Sequence, residues 1–147
     1  MDWQEIANIA TTAATVIGFI SVIVTVVGVW LALGQLKITR KVIQTDFENS
    51  IDQQYRQIIQ GIPVDILIGQ VETPNSETRE LIFNYLDLCN EQIYLYSKKR
   101  ISDERWQDWE SGIEDNLKNK AIFNVWQEVK ESASFSYLSE FLVTKGI

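Results

Sequence analysis

Six carboxylates between residues 103 and 115 are the densest group of side chains that could do chemistry. They are Asp103, Glu104, Asp108, Glu110, Glu114 and Asp115. Acid–base catalysis and metal binding both require carboxylates that converge in a pocket. On a helix these six spread around the circumference, while Trp106 and Trp109 mark the inner face. We therefore interpret them as a solvated surface and predict no catalytic residue, metal or cofactor there.

The chain has no histidine and a single cysteine, Cys89. This composition excludes a Ser-His-Asp triad, a Cys-His pair and any His-ligated metal. A phosphate-binding Gly-rich loop, an EF-hand loop and a nucleophile elbow are also absent from the sequence. We therefore predict a protein that is not an enzyme. A pocket in which carboxylates, or Tyr and Arg, converge would instead favour catalysis.

A long apolar segment precedes all of these residues. From Ile6 to Leu36 the chain has 31 consecutive residues without a charge, whereas about 20 are enough to cross a bilayer. Trp3 and Trp30 flank the segment, as interfacial anchors do. The pattern predicts one transmembrane helix over 13–36, preceded by a short extracytoplasmic N-terminus, 1–12.

The alternative interpretation of this segment is a cleaved signal peptide, with Ala32-Leu-Gly34 as the cleavage site. Two features oppose it: no Lys or Arg precedes the segment, and the apolar run is longer than a signal peptide requires. Lys37, Arg40 and Lys41 directly follow the segment. By the positive-inside rule they place the rest of the chain in the cytoplasm. Three basic residues are too few for a specific anionic-lipid site.

Small residues recur within the segment at spacings of 4, 3, 4, 3 and 4. This small-residue seam consists of Ala14, Gly18, Ser21, Thr25, Gly28 and Ala32. Small residues at heptad spacing let membrane helices approach closely, so the seam predicts self-association. Hydroxyls near it, from Thr11, Thr15, Ser21 and Thr25, could line a polar pore in a higher oligomer. They could equally bond their own backbone or a neighbouring helix.

The remainder of the chain has helical periodicity throughout. Apolar residues at helical spacing from Ile43 to Ile59 predict a juxtamembrane helix, 37–60, which Gly61 and Pro63 end. Residues 61–147 are predicted to form a small helical domain, so the fold class is all-α. Within 62–69 the apolar residues alternate as in a strand, but an isolated strand has no pairing partner, which favours a short turn or helix.

Further helices are predicted from 76 to 99 and from Ser102 onward, followed by two short ones separated near 132–136. Trp106 and Trp109, with Ile113 and Leu117, share one face of the second helix. They could bind a partner or anchor the core, and the core interpretation is favoured. The chain after the apolar segment carries 13 basic and 18 acidic residues. This excess of acidic residues opposes nucleic-acid binding, which needs a basic face.

The chain resembles a broad group of uncharacterised bacterial single-pass membrane proteins with a C-terminal helical domain. The segments that carry the resemblance are 85–88 (YLDL), 94–109 (YLYSKKRISDERWQDW) and 123–126 (FNVW). The resemblance implies an all-α domain on a membrane helix and a location in the bacterial inner membrane. It implies no activity.

Together these features predict a membrane-anchored interaction module. It would self-associate in the lipid bilayer as a homo-oligomer and engage a protein partner in the cytoplasm. The alternative is an oligomeric effector that forms a pore or perturbs the membrane, as in a bacterial defence or toxin system.

Overall fold

The computed structural model describes residues 2–131 and 134–147. Within these residues it contains helices and no strand, which confirms the all-α fold class. The helices are α1 (Trp3–Gly61), α2 (Val64–Leu67), α3 (Ser76–Ser97), α4 (Asp103–Leu117), α5 (Lys120–Val129) and α6 (Ser136–Lys145). The predicted separation at 132–136 falls partly on residues 132 and 133, which lie outside the described residues. The chain divides into two compact units, and the boundary between Ile43 and Gln44 falls within α1.

The first unit, up to Ile43, is an apolar helical segment. It includes a stretch that is long and apolar enough to cross a membrane, and none of that stretch is buried within the chain. Its large apolar side chains are exposed, from Ile6 to Ile43. An unbroken β-branched run forms a helix here because a helix satisfies every backbone N–H and C=O within one segment.

The second unit, Gln44–Ile147, is a helical domain built around α3. Ile82, Tyr85, Leu86 and Cys89 on α3 are at most 1% exposed. Helices α4, α5 and α6 pack against α3 and complete one hydrophobic core. Trp106, Trp109, Ile113 and Leu117 are all buried in it, so the interpretation of this stripe as core is confirmed.

The last 18 residues of α1 also belong to this domain. Ile51 is buried, and Phe47, Tyr55, Ile58 and Ile59 pack against the core at the spacing that the sequence predicts. The helix ends at Gly61, where the following Ile62-Pro63 leaves the helical conformation, as predicted. The ambiguous segment after it forms α2, a single helical turn, and not a strand.

The starts and ends of the later helices follow local capping rules. Ser102 caps α4 as predicted, and its hydroxyl accepts a hydrogen bond from the Arg105 N–H. α3 begins at Ser76, as predicted. Asn75 caps this helix, because its side-chain oxygen accepts a 2.8 Å hydrogen bond from the Thr78 N–H.

Candidate functional site

The small-residue seam lies entirely on exposed positions of α1. A Cβ atom added at Gly18 or Gly28 would meet nothing within 4 Å, so both surfaces are open to a second helix. The nearby hydroxyls donate hydrogen bonds to the backbone carbonyl four residues earlier, at 2.8–2.9 Å, from Thr11, Thr15, Ser21 and Thr25. Each hydroxyl hydrogen is therefore used within the helix, which makes these side chains compatible with an apolar environment.

The other residues predicted from the membrane pattern are also exposed on α1. The two interfacial tryptophans, Trp3 and Trp30, are 84% and 72% exposed. Lys37, Arg40 and Lys41 make no ion pair with any described residue. The protein fold therefore does not occupy these side chains, which are free to contact lipid or a partner.

The acidic residues of α4 do not converge. Asp103, Glu104, Asp108 and Asp115 are exposed, and no group of three His, Cys, Asp or Glu residues within the described chain is arranged to hold a metal ion. Glu110 and Glu114 both pair with Lys145 of α6, at 2.7 and 2.6 Å. These two carboxylates thus link α6 to α4 through ion pairs.

A second pair of carboxylates, Glu48 and Asp52, faces α4 from the end of α1. Glu48 is 6% exposed and accepts a 2.7 Å hydrogen bond from the Ser102 N–H. Asp52 accepts a 2.7 Å hydrogen bond from the Trp109 indole N–H and pairs with Arg105 at 3.1 Å. Arg105 also approaches Glu48, at 4.0 Å. We call these five residues the α1–α4 clamp.

Beside the clamp lies a cleft of about 280 Å³ between α1, α3 and α4. Its lining consists of two aspartates, two arginines, two tyrosines, a glutamine, a tryptophan, a glycine and an isoleucine. The lining residues are Asp52, Tyr55, Arg56, Tyr85, Gln92, Arg105, Asp108, Trp109, Gly112 and Ile113. Arg105 and Asp52 are paired across it. The side chains of Arg56 and Asp108 are exposed and make no ion pair or hydrogen bond within the described residues.

Gln92 is the unusual residue of this cleft. It is 4% exposed, yet its side-chain amide forms no hydrogen bond with any described residue. No fully buried polar side-chain atom lacks a partner in the described part of the chain. The Gln92 amide must therefore reach the surface of the cleft, where a bound molecule or solvent can bond it.

The cleft chemistry favours binding over proton transfer. Burial raises the pKa of Tyr85 well above its usual value, and its hydroxyl accepts a 3.0 Å hydrogen bond from the Asn116 amide. The phenol is therefore neutral near pH 7 and cannot act as a base. Asp52 already accepts from Trp109 and Arg105. The remaining charges, Arg56 and Asp108, are suited to attracting a charged ligand.

Cys89, next to Tyr85 in the core, is expected to make the domain sensitive to alkaline pH. Burial is the main cause that raises the pKa of its thiol from 9.0 to about 12. An unfolded thiol loses its proton near pH 9, whereas the folded one retains it. This contribution to stability is therefore complete below pH 9 and is lost as pH rises towards 12.

Urea unfolding of the full chain at a series of pH values tests this expectation. The free energy of unfolding should fall above pH 9, and Cys89→Ala should make that fall shallower, because alanine has no proton to release. If the free energy of unfolding falls with pH at the same slope in Cys89→Ala and in the parent protein, Cys89 is not the cause of the alkaline sensitivity.

The cleft is not predictable from the spacing of residues in the sequence. Its arginines and aspartates lie on two helices that are about 50 residues apart in the chain, and no spacing rule connects them. One local signal was present: Gln92 follows Tyr85 and Cys89 at helical spacing on an otherwise apolar face. A polar residue at such a position indicates either a buried hydrogen bond or a cleft.

We found no match to this chain among protein-family models, curated proteins or solved structures. The resemblance to bacterial single-pass proteins therefore stays a prediction.

Proposed function

We propose that the chain is a membrane-anchored, non-enzymatic interaction module that self-associates through the small-residue seam of α1. The observation that carries this proposal is the contrast between the two units. The domain from Gln44 onward buries most of its large apolar residues in one core, whereas the segment before it leaves every described apolar side chain exposed. So much exposed apolar surface would aggregate in water, and a bilayer covers it.

The charges around the segment support one orientation of this anchor. Lys37, Arg40 and Lys41 follow the apolar run, while only Asp2 and Glu5 precede it. The domain then lies in the cytoplasm and the N-terminus outside. A bacterial inner membrane is the location implied by the resemblance. The anchor interpretation and the signal-peptide interpretation differ in one measurable way. An anchored chain remains in the membrane fraction at full length after an alkaline carbonate wash, while a cleaved chain is released and shorter.

The seam supports self-association over a passive tether. Its residues leave a groove along one side of α1, and helices in lipid associate through close backbone contact at such small residues. Both Gly18 and Gly28 lie open in this groove. A second copy of the same helix presents the same groove, which is what a symmetric dimer or ring requires.

The test is the mass of the full-length protein in mild detergent, with and without the double change Gly18→Ile and Gly28→Ile. We expect a discrete oligomer for the parent protein and a monomer for the variant, because each isoleucine holds the helices apart. Gly34→Ile is the matched control. It also meets nothing within 4 Å, and at about 100° per residue it lies on the opposite side of the helix.

A parent protein that is monomeric, or a double variant that assembles as the parent does, would contradict the seam. The pore-forming alternative predicts more. An assembled parent protein would conduct ions across liposomes, and the double variant would lose both assembly and conductance. Assembly without conductance would leave the interaction module as the function.

A further inference from the structure

We propose that the cleft between α1, α3 and α4 binds a small zwitterionic molecule of amino-acid size. Arg56 would bind its anionic group, Asp108 its cationic group, and the Gln92 amide would form a hydrogen bond with it. The inference concerns the helical domain alone and does not depend on membrane anchoring or on the seam.

The charges of the cleft determine this choice of ligand. Asp52 and Arg105 neutralise each other at 3.1 Å, which leaves one unpaired positive side chain, Arg56, and one unpaired negative side chain, Asp108. A purely anionic ligand would leave Asp108 unpaired. The excess negative charge of the domain would also repel such a ligand. Residues 44–147 carry 10 basic and 18 acidic residues, a net charge of −8. A purely cationic ligand would face Arg56. A zwitterion pairs with both side chains.

Gln92 gives the cleft a polar group that a ligand can bind. A nearly buried amide with no protein partner retains up to two donors and an acceptor for a molecule in the cleft. Buried polar groups in folded proteins are almost always hydrogen-bonded, so this amide takes its partner from the cleft, either solvent or a bound molecule. An amino acid carries donors in its ammonium group and acceptors in its carboxylate. It can therefore bond either the carbonyl oxygen or the NH2 group of the Gln92 amide.

The size and walls of the cleft define the body of the ligand. Small-molecule pockets of proteins range from about 300 to 1,000 Å³, and the cleft, at about 280 Å³, is slightly smaller than that range. Tyr55, Trp109 and Ile113 provide apolar and aromatic walls. Such a site holds one small molecule with an apolar or aromatic side chain, and it is too small for a folded partner.

Ligand-observed NMR on the full-length protein in detergent micelles tests the site. The probes are glycine and the 19 chiral standard amino acids in their L forms, each at about 1 mM, a concentration that detects weak binding. For the amino acid with the strongest saturation transfer, the matching amine without the carboxylate and the matching acid without the ammonium are then compared. The zwitterion should bind about tenfold more tightly than either, because each analogue loses one charged contact.

The variant Gly112→Leu adds a large side chain to the lining of the cleft. A Cβ at this position meets nothing within 4 Å, and leucine favours a helix more than glycine does. We expect it to weaken binding at least tenfold. Ser111→Leu places the same side chain on the neighbouring exposed position and should bind as the parent does. Arg56→Gln and Asp108→Asn change exposed, unpaired side chains, so they keep the fold, and each should weaken binding about tenfold.

The proposal is overturned if no amino acid shows saturation transfer to the parent protein, which would mean that water alone satisfies Gln92. It is also overturned if Gly112→Leu binds as the parent does, which would place binding elsewhere. Equal binding of the zwitterion and one of its singly charged analogues would likewise overturn it. The cleft would then recognise only one of the two charged groups of the ligand.

Discussion

Trp109→Ala is expected to lower the free energy of unfolding of the helical domain by about 3 to 5 kcal/mol, the usual range for deleting a buried tryptophan. Trp109 is 8% exposed, and its ring lies between the core and the cleft. The change also removes the 2.7 Å hydrogen bond from the indole N–H to Asp52. Because a small domain is stable by only about 5 to 15 kcal/mol, this single substitution brings the domain close to unfolding.

Urea unfolding of the full chain in mild detergent measures this effect, with the emission of Trp106 and Trp126 as the signal. Trp109→Phe separates the contribution of the hydrogen bond from that of the packing, because it retains an aromatic ring and removes the N–H donor. We expect it to cost about 2 to 3 kcal/mol, because a hydrogen bond to a charged acceptor contributes about 1.5 to 3 kcal/mol and a small loss of packing adds to it. Val143→Ala, at a side chain 80% exposed, is the control and should change stability by less than about 0.5 kcal/mol. A Trp109→Ala protein as stable as that control would contradict the role of the clamp.

The burial of Trp109 was predictable, whereas its hydrogen bond was not. Trp106, Trp109, Ile113 and Leu117 recur at spacings of 3, 4 and 4, and one face of a helix at that spacing must be covered. All four are buried. The partner of the indole N–H lies 57 residues earlier in the chain. Only the packing of α1 against α4 selects Asp52 from the 18 acidic residues of the domain.

The environment of the acidic residues of α4 was also predictable only in part. Their spacing around the helix predicted a solvated surface, and four of the six are exposed. Glu110 and Glu114 depart from this prediction in part, since they are half-buried against Lys145. Lys145 is the last residue of α6. Residues near the end of the chain reach α4 through tertiary packing, which periodicity does not describe.

The last part of α1 contacts the rest of the domain through polar as well as apolar residues, and the clamp contains the polar ones. Glu48 and Asp52 are four residues apart and therefore lie on the same side of a helix, next to Ile51 and Tyr55. Nothing in their spacing predicts a buried role. In the structure they accept hydrogen bonds from the Ser102 N–H and the Trp109 indole N–H. The cleft lies beside these bonds, and Arg56, one turn after Asp52, is part of its lining.

Glu48→Ala is expected to cost about 2 to 3 kcal/mol of stability, which is large for a charged residue. Its carboxylate is 6% exposed, and one oxygen accepts from the Ser102 N–H at the start of α4. Removing it leaves that N–H without its partner and Arg105 with Asp52 alone. An unpaired buried donor costs about 1 to 3 kcal/mol. The negative charge also favours the N-terminus of α4, where the helix dipole is positive.

The hydrogen bond to Ser102, and not the ion pair, should dominate this effect. The nearest nitrogen of Arg105 lies 4.0 Å from Glu48, at the limit for an ion pair, and the arginine side chain is 32% exposed, so solvent screens it. Glu48→Gln tests the distinction, because its amide oxygen can still accept from the Ser102 N–H. We expect it to cost about 1 kcal/mol.

A double-mutant cycle between Glu48→Ala and Arg105→Ala should accordingly give a coupling below about 1 kcal/mol. Glu80→Ala, at an exposed glutamate of α3, is the matched control and should be nearly neutral. A coupling as large as the whole Glu48→Ala effect, with Glu48→Gln as harmful as alanine, would make the ion pair the dominant contact. The attachment of α1 to α4 would then depend on salt, because screening weakens an ion pair more than it weakens a backbone hydrogen bond.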